Sequence, residues 1–573
     1  MEIIFTKEIS HLVKMSCRDR HQLSIENRYS QSVSACEVKF LVICNTILKN
    51  LDTIAVPYHF CKYLTYHHNP VAESAKILGI FPIQSRSHHS INQPIVKGLA
   101  YKGHQVTVIS PFKSNDNVPN YREILLSQIV ELPDWVDTIT IEDSVNFIGA
   151  RQIMKMSGYL ESSNCDKVLG LEYVKQLIHS NDKNNQIDLI MAEVYHVQCI
   201  HLLAYKLNVP LILVHPLSTA MGTDYFVGNP VVLSTTPMGY SAFTTKMNFW
   251  QRLENVFEYA VEYWCHNFVH NKDMAVYARK HFNMELPSDE ELHRRTALVF
   301  YDNHPSFISR SKSPNVIDIA GLHIKDPKKL PKDVAEFIEG AAHGVIFFSF
   351  GTTIKASSIS SEKLLAIKSA FSAVPQRVLW RVNDLNLTDV PPNVKLGKWF
   401  PQRDVLEHKN VIAFISHCGL QGTLEAIHTA TPVIAIPIAF DQFQNAKVLV
   451  EREVGIEVDY FEMNKDTLIG AIKEITSNTK YQENVIRWSN IFKDRPVSAL
   501  DEALYWTEYV IKHRGAPHLR TAAADTPFYQ YLLLDVLGLL LLVVICFLYL
   551  SKLFFKCIIS LVYRQKSKKN KTQ

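Results

Sequence analysis

The segment Trp399–Gln442, WFPQRDVLEHKNVIAFISHCGLQGTLEAIHTATPVIAIPIAFDQ, decides the fold of this chain. Val411–Ser416 is short and rich in Ile, Val and Phe, which indicates a buried strand. The turn His417–Thr423 follows it, contains Gly419 and Gly422, and leads into a helical pattern. Such a turn binds anions, because free N–H groups and the helix dipole point at the bound group and glycine lets it come close. The segment therefore predicts an α/β domain with a phosphate-binding turn.

Three side chains of this segment are spaced as partners for a nucleoside. Trp399 offers a flat face for a planar base, and Gln402, three residues later, can hydrogen-bond the edge of that base. Glu425, on the helix after the turn, can accept hydrogen bonds from ribose hydroxyls. The alternative for any one of them is an ordinary residue of a buried βαβ unit.

Other residues of the segment fit a diphosphate and a sugar. His417 and Thr423 flank the glycine turn, where a pyrophosphate would lie. Asp441 and Gln442 follow the predicted strand Pro432–Ile438 at its carboxyl end, where sugar hydroxyls could bind. Base, ribose, phosphates and sugar each have a partner in this one segment.

An earlier strand is predicted to supply a second small-residue loop. Gly344–Gly351 reads as a buried strand, and Gly351 and Thr352 form a turn that could also meet the diphosphate. Further on, Asn386 begins an Asn-Leu-Thr sequon, which matters only if this domain faces a secretory lumen. No GxGxxG pattern is present, so a nicotinamide-binding interpretation has no support.

The pattern W-x-P-Q, H-x-G-x-x-[GS]-[ST]-x-E, P-x-x-x-D-Q resembles the signature of the UDP-glycosyltransferases, which include the UDP-glucuronosyltransferases. The resemblance extends from about Ala75 to the C-terminus, and the sequence YQYLLLDV resembles that of arthropod members. It implies two facing, doubly wound (Rossmann-like) α/β domains of the GT-B type. It also implies a UDP-sugar as co-substrate, with no cofactor and no metal. Cys418 departs from the family pattern, which usually has Gly there.

The resemblance also implies a catalytic base in the N-terminal half. Lys76–Ile83 is predicted as a strand, Gln84–Ser90 as the loop after it and Ile91–Tyr101 as a helix. The family's base matches His88, with His89 as the neighbouring alternative; a histidine can take a proton from a hydroxyl near neutral pH. A loop histidine is otherwise a solvated polar residue.

The family pairs its histidine with a carboxylate at the end of a later strand. The matching residue is Glu193, where most members have Asp, and its role would be to orient the imidazole and stabilise its charged form. The alternative is a solvated residue at a strand end.

Aromatic residues are concentrated between residues 222 and 290, among them Phe249, Trp250, Phe257 and Trp264. In the family this half selects the acceptor, so these helices are predicted to cover the acceptor site. A core-packing stripe explains the aromatic residues equally well.

The two ends of the chain have opposite character. Residues 1–73 are an uncertain N-terminal extension: Lys39–Leu48 is only a weak candidate for a signal core, and an atypical signal, an alternative start at Met15 and a loosely packed extension all remain open. At the other end Tyr531–Leu550 is apolar apart from Asp535 and long enough to span a bilayer. The basic residues after it predict a cytosolic tail with the catalytic domains on the other side.

The predicted organisation follows from these boundaries. An acceptor-binding α/β domain occupies residues 74–325, a linker 326–340, a UDP-sugar-binding α/β domain with closing helices 341–525, a transmembrane region 526–562 and a basic tail 563–573. Lys569 and Lys571 resemble a dilysine retrieval signal, which indicates a single-pass protein of the endoplasmic reticulum membrane. The alternative is a plain stop-transfer cluster.

Composition and charge exclude several other classes of protein. The net charge is only +4 over 573 residues, and no basic face with interleaved aromatics predicts binding to nucleic acid. The 10 cysteines show no CxxC pair and no metal-ligand spacing, so neither a disulfide framework nor a zinc site is expected.

The resulting hypothesis is an inverting, membrane-anchored transferase, and a homo-oligomer is compatible with it. It would transfer glucose or glucuronic acid from UDP to a hydroxyl of a small lipophilic acceptor, as in detoxification. Two alternatives remain: a UDP-sugar-binding or regulatory protein of the same fold that has lost catalysis, and a nucleotide-sugar enzyme acting on lipids or polymers.

Overall fold

The computed structural model describes residues 74–129, 141, 149, 161–179, 186–194, 198–219, 222–351, 358–382 and 387–569. Residues from Ser74 onward form one compact unit. The predictions for residues 1–73, for Thr352 and for the sequon at Asn386 lie outside the described residues. The predicted domain boundaries stay predictions, although each half of the unit has its own sheet.

The N-terminal half is built on a parallel sheet of seven strands, in the order β3-β2-β1-β4-β5-β6-β7. The strands are β1 Lys76–Ile80, β2 Gln105–Ser110, β3 Tyr121–Leu125, β4 Leu189–Glu193, β5 Leu211–His215, β6 Thr296–Tyr301 and β7 Val316–Asp318. The helices are α1 Arg86–Tyr101, α2 Leu126–Ile129, α3 Glu161–Leu169, α4 Glu172–His179, α5 Cys199–Leu207, α6 Thr223–Val227, α7 Phe249–Cys265, α8 Asn271–Phe282 and α9 Asp289–His293. A short π-helix, His266–His270, joins α7 to α8.

The C-terminal half has a second parallel sheet, of six strands, in the order β10-β9-β8-β11-β12-β13. The strands are β8 Val345–Ser349, β9 Arg377–Arg381, β10 Val394–Gly397, β11 Val411–Ser416, β12 Val433–Ala435 and β13 Gly455–Glu457. The helices of this half and of the C-terminal segment are α10 Lys332–Glu339, α11 Ser361–Ser372, α12 Gln402–Leu406, α13 Leu420–His428, α14 Gln442–Glu451, α15 Lys465–Ser477, α16 Thr479–Lys493, α17 Ala499–Lys512, α18 Phe528–Tyr531 and α19 Leu534–Lys569.

Both sheets are doubly wound, as predicted, and the strand order reverses once in each. In the first sheet the reversal lies between β1 and β4, and in the second between β8 and β11. Open α/β sheets bind ligands in the crevice at the carboxyl ends of the strands that flank such a reversal. The fold therefore directs attention to the residues that follow these four strands.

Apolar side chains cover both faces of each sheet. Leu78 and Ile80 of β1 belong to one buried cluster, while Ile77 belongs to the cluster on the opposite face. The second sheet divides in the same way, with Phe347 of β8 on one face and Phe348 on the other. This two-sided burial is why the strands read as continuous apolar runs.

Helix α17 packs against the N-terminal half although it follows the second sheet in sequence. Leu504 lies in the same buried cluster as β1 and β2 and contacts α1 at Gly98. Lys102 at the end of α1 donates to Glu508 of α17 at 2.7 Å. The closing helix α17 therefore returns to the first half.

Several sequence-based expectations are corrected by the structure. Helix α1 begins at Arg86 instead of Ile91, so His88 and His89 lie in its first turns and not in a loop. Strands β3, β6, β7, β10 and β13 were not anticipated. β7, β10 and β13 have 3, 4 and 3 residues, too few for periodicity to identify them, whereas β6 is a buried run of 6 residues that the sequence analysis missed.

A disulfide was also not anticipated. Cys165 of α3 and Cys199 of α5 are bonded, with Cα atoms 5.9 Å apart, and both are buried. They stand 34 residues apart in sequence, and nothing in their local spacing reveals the pairing. The expectation that cysteines build no disulfide framework therefore misses one structural bond.

The aromatic residues Phe249, Trp250, Phe257 and Trp264 are exposed, so the core-packing alternative for them is wrong. The C-terminal apolar segment is helical, and its stretch Leu534–Arg564, 31 residues long, is a candidate membrane span by length and composition.

Candidate active site

The predicted base and its carboxylate meet at the strand reversal of the first sheet. His88 lies in the first turns of α1, directly after β1, and Glu193 is the last residue of the neighbouring β4. His88 Nδ1 is hydrogen-bonded to Glu193 Oε1. Asn92, one turn further along α1, donates to the other carboxylate oxygen at 3.3 Å. Glu193 is therefore held from two points, and it reaches the imidazole despite being longer than Asp.

Charges from both halves of the molecule act on His88. Burial works against its charged form, but the negative charge of Glu193, with smaller contributions from Asp441 and Asp302, outweighs burial and raises its pKa. Asp302 follows β6 in the first half, whereas Asp441 precedes α14 in the second. The imidazole therefore lies at the boundary between the halves.

His89 has a different environment. Its ring packs on Phe112 with the ring centres 4.9 Å apart. Burial, assisted by the positive charges of Lys97 and Arg86, lowers its pKa to about 4. Of the two candidates for the base, it is His88 that the fold pairs with a carboxylate.

In the C-terminal half, two of the three residues predicted to bind a base and a ribose, Gln402 and Glu425, are in contact. Trp399 is 71% exposed in the loop before α12, so its indole face is accessible. Gln402 donates to Glu425 at 2.7 Å. A Cβ atom at Gly422 would lie 3.1 Å from the Gln402 amide nitrogen, so the missing side chain lets these elements approach. Burial raises the pKa of Glu425 to about 7, which favours a partner that donates hydrogen bonds to it.

The predicted phosphate site is formed where β8 and β11 end. The His417 ring lies between Gly351 and Gly419, whose added Cβ atoms would come within 2.6 and 2.7 Å of it. Gly351 has a φ of +69°, which favours glycine. Neither His417 Nδ1 nor the buried hydroxyl of Thr423 has a hydrogen-bond partner among the described residues. Two unsatisfied polar atoms at a helix N-terminus fit an anionic ligand.

Burial and the positive charge of Arg381 lower the pKa of His417 to about 4. His417 is therefore neutral at physiological pH in this environment, and a neutral imidazole can donate one hydrogen bond to an anion. Arg381, the last residue of β9, donates to the carbonyl oxygen of Gly351 and brings a cation to the same strand ends. Sequence reasoning gave Arg381 no role, although its position at the end of an apolar run was the available signal.

Cys418 occupies the position where the family usually has Gly. Its φ is +64°, a region that side chains with a Cβ atom rarely adopt. The residue is buried, its N–H donates to Ser416 Oγ at 3.0 Å and its carbonyl accepts from Asn445 at 2.9 Å. These bonds hold the turn in a conformation that glycine would adopt without strain.

The residues predicted to bind the sugar lie at the start of α14. Gln442 accepts hydrogen bonds from the N–H groups of Ile438 and Ala439, both at 2.9 Å, so its amide N–H groups remain for a ligand. Asp441 accepts from Asn445 at 2.6 Å, and burial raises its pKa to about 6. The negative charge of Asp441 acts on His88, so this end of the site lies near the predicted base.

Two glutamines, which sequence reasoning also missed, connect the helices of this site to the first half. Gln421 of α13 donates to Asp302 at 3.1 Å. Gln444 of α14 accepts from Thr219 at 2.7 Å and donates to the Met238 carbonyl at 3.2 Å. Both helices that carry predicted donor contacts are thereby fixed relative to the half that carries His88.

Asp302 is fully buried, and burial raises its pKa to about 7. Its second oxygen has no hydrogen-bond partner within the described part of the chain. Over the same residues, no group of three or more His, Cys, Asp or Glu side chains could hold a metal ion.

Known proteins share this organisation. A family model described as "UDP-glucoronosyl and UDP-glucosyl transferase" matches residues 75–572. "UDP-glucosyltransferase 2" of Dactylopius coccus is 36% identical over 498 residues, which cover 85% of this chain and 94% of that protein. "UDP-glucuronosyltransferase 1A1" of Mus musculus is 30% identical over 505 residues, which cover 85% and 91%.

A crystal structure of "UDP-glucose: anthocyanidin 3-O-glucosyltransferase in complex with UDP" superposes with a TM-score of 0.52 at 16% identity, covering 77% of this chain and 100% of that one. At this identity the likeness shows the fold alone, and it confirms the predicted GT-B arrangement. The match of the family model over most of the chain, together with these relatives, shows that the chain belongs to the UDP-glucuronosyl and UDP-glucosyl transferase family and is a glycosyltransferase that uses a UDP-sugar.

Proposed function

We propose that this chain is a membrane-anchored, inverting UDP-glycosyltransferase that transfers glucose or glucuronic acid to a hydroxyl of a small lipophilic acceptor. One observation carries the proposal: His88 is hydrogen-bonded to Glu193 in the first half, and the negative charge of Asp441 in the second half also acts on it. A base and a sugar-binding carboxylate that interact across the two halves suit a transfer between two bound substrates.

In this mechanism His88 is the catalytic base. With its Nδ1–H donated to Glu193, the neutral imidazole carries its lone pair on Nε2, which takes the proton of the acceptor hydroxyl. The acceptor oxygen forms a bond to the anomeric carbon as the bond from that carbon to the diphosphate oxygen breaks. A single displacement of this kind inverts the anomeric configuration, and UDP leaves with the bonding electrons.

The leaving diphosphate is proposed to bind at the ends of β8 and β11. Neutral His417, the Thr423 hydroxyl and the N–H groups at the start of α13 supply hydrogen bonds, and Arg381 supplies positive charge. Donors fixed before the reaction stabilise developing negative charge without reorganisation. Thr352 and Gly351 extend the same loop in this proposal, and no metal is required by it.

The Glu193 position bears on the alternative of a binding protein without catalysis. That alternative was considered because position 193 has Glu where most family members have Asp, yet Glu193 is within hydrogen-bonding distance of His88. The longer side chain is therefore compatible with the family's pairing, and an active enzyme is the better supported proposal.

Membrane anchoring and orientation form a second part of the proposal. Helix α19 includes a 31-residue candidate span, and the basic residues Arg564, Lys566, Lys568, Lys569 and Lys571 follow it or end it. By the positive-inside rule the tail is cytosolic and the catalytic halves are lumenal. The Cys165–Cys199 disulfide supports this, because disulfides persist in oxidising compartments such as the endoplasmic reticulum lumen.

Three finer points remain predictions within this proposal. Asp441 and Gln442 suit glucose and glucuronic acid alike, so both donors are retained. Asn386 is a glycosylation site if the second half is lumenal. A homo-oligomer is compatible with the chain, and no observation assigns its interface.

Release of UDP from UDP-glucose and from UDP-glucuronate, with a panel of phenols and steroids, tests the proposal on the full chain in membranes. We expect acceptor-dependent release with at least one donor, and a product of inverted anomeric configuration by NMR. His88→Ala should lower the rate by about 10²–10⁴-fold, the usual contribution of a general base. His89→Ala is the matched control and should keep most of the activity.

Full transfer activity in a correctly folded His88→Ala variant would show that another group is the base. Retention of anomeric configuration would refute the single displacement. UDP-sugar binding without release in the presence of every acceptor would favour the binding protein.

A further inference from the structure

Helix α7 presents its polar side to the protein and its apolar side to solvent. Asn255 and Glu258 are 0% and 1% exposed, and Glu262 continues their stripe one turn later. Asn255 bonds the backbone of Leu233, Thr236 and Met238 at 2.8 to 2.9 Å. The polar side is therefore fixed by specific bonds, and the helix cannot simply roll over to bury its other side.

The outward side of α7 and the adjoining π-helix is a row of large apolar residues, here called the outer face. Its members recur at helical spacing and are each more than half exposed: Trp250, Leu253, Phe257, Trp264 and Phe268. Trp264 and Phe268 lie with their ring centres 5.9 Å apart, so the row is continuous at its far end. A contiguous apolar surface on a folded domain indicates a site of contact with a protein or a membrane.

The same part of the molecule is joined to the segment that precedes the candidate membrane span. Thr521 donates to the Gly228 carbonyl at 2.5 Å, and Ala524 packs directly on Gly228. The hydroxyl of Tyr531, three residues before α19, lies near the backbone of Val231. Residues 228–231 therefore bind the start of the anchor, and residues 233–238, immediately after them, bind α7 through Asn255.

We infer that the outer face of α7 lies against the surface of the lipid bilayer that α19 crosses. This inference rests on the proposed membrane anchoring. An anchored chain always has the bilayer within reach, and the short connection from α19 to α7 keeps the outer face near it. Tryptophan and phenylalanine beside leucine are the composition of helices that lie in the membrane interface. The inference also explains why the polar side of α7 is the one that is buried.

Fluorescence of the full chain in lipid nanodiscs tests this inference. One set of discs contains phosphatidylcholine with acyl chains brominated close to the headgroup, which quenches tryptophan on contact, and the other contains the unbrominated lipid. We expect the brominated lipid to lower the emission of the unmodified chain. In the double variant Trp250→Tyr/Trp264→Tyr this decrease should shrink at least twofold.

Trp506→Tyr is the matched control, since it removes one tryptophan from α17, which packs on the first half, and it should leave the decrease unchanged. A decrease of the same size in the double variant, or no decrease in the unmodified chain, would overturn the inference. If each disc held two chains and the variant Leu253→Lys/Phe257→Lys reduced this number to one, the outer face would bind a second copy of the chain, and the inference would be overturned as well.

A separate measurement distinguishes failure of this inference from failure of the proposed anchoring. Extraction with alkaline carbonate should leave the full chain in the membrane. Release by carbonate would refute the anchoring, and the inference with it, whereas retention without tryptophan quenching would refute the inference alone and leave the proposed function intact.

Discussion

Replacing Glu193 by Gln removes the negative charge beside His88 and keeps the length of the side chain. Glu193 is 1% exposed, so water cannot substitute for the lost charge. A hydrogen bond to a charged group contributes about 1.5–3 kcal/mol, and about 1.4 kcal/mol corresponds to a tenfold change in rate. We therefore expect kcat of Glu193→Gln to fall by about 10- to 150-fold at alkaline pH, less than the loss expected for His88→Ala.

The pH dependence gives the sharper test. The base acts when it is neutral, so activity is lost as the pH falls through the pKa of His88, which Glu193, Asp441 and Asp302 raise above its ordinary value against the effect of burial. Without Glu193, burial dominates and the pKa of His88 falls. The acidic limb of kcat/KM should therefore move to lower pH in the variant, and the difference in rate should shrink as the pH falls.

The assay is initial-rate UDP release over a pH series, with circular dichroism to show that the variant is folded. Glu508→Gln is the matched control, because Glu508 pairs with Lys102 at the opposite end of the same helix α1. We expect the control to keep its rate and its acidic limb. An unchanged acidic limb in Glu193→Gln would refute the assignment of His88 as a base coupled to Glu193, whatever the size of the change in rate.

Three further outcomes follow from the structure. Glu425→Ala should raise KM for the UDP-sugar by about tenfold with a smaller effect on kcat, since it removes the charged hydrogen bonds proposed to hold the ribose; an unchanged KM in donor titrations would refute that contact. Burial, aided by neighbouring positive charge, lowers the pKa of His201 to about 3 and that of His293 well below its ordinary value. Below about pH 6.5 the unfolded chain therefore binds more protons than the folded chain, so the melting temperature should be highest above that pH and decrease as the pH falls toward 3. His293→Gln should make this decrease less steep in thermal scans, and an equally steep decrease would contradict the expectation. Cys165→Ser/Cys199→Ser opens a covalent loop of 34 residues and should cost about 2–4 kcal/mol in the free energy of unfolding; the Cys265→Ser variant, at a free cysteine, serves as the control, and an unchanged denaturation midpoint would contradict the expectation.

The predicted donor site shows what local sequence can establish. Gly351, His417, Gly419 and Gly422 follow strands that read as continuous apolar runs, and the turn between β11 and α13 is completed within a few residues. Strand, turn and helix start are local features, so their order in the chain fixes their order in space. The strand β11 has the bounds that its sequence predicts, Val411–Ser416.

Errors arose where distant contacts override a local pattern. Helix α1 extends back to Arg86, although SRSHHS has the composition of a loop, because this segment starts at the reversal between β1 and β4, where His88 is hydrogen-bonded to Glu193 of β4. The aromatic residues of α7 were expected in a core or over a pocket, yet the polar side of α7 is buried by its bonds to residues 233–238. Helical periodicity identifies which residues share a side and not which side the rest of the chain covers.

By itself the sequence determined the two doubly wound halves, the glycine turn predicted to bind a diphosphate and the apolar C-terminal helix, because each depends on residues adjacent in the chain. Only the tertiary structure decided which histidine faces a carboxylate, since His88 and Glu193 are 105 residues apart and meet through the pairing of β1 with β4. Only the tertiary structure shows that Cys165 is bonded to Cys199, that Gln421 donates to Asp302 and that the aromatic side of α7 is exposed. These features depend on the packing of elements distant in sequence, which no local pattern records.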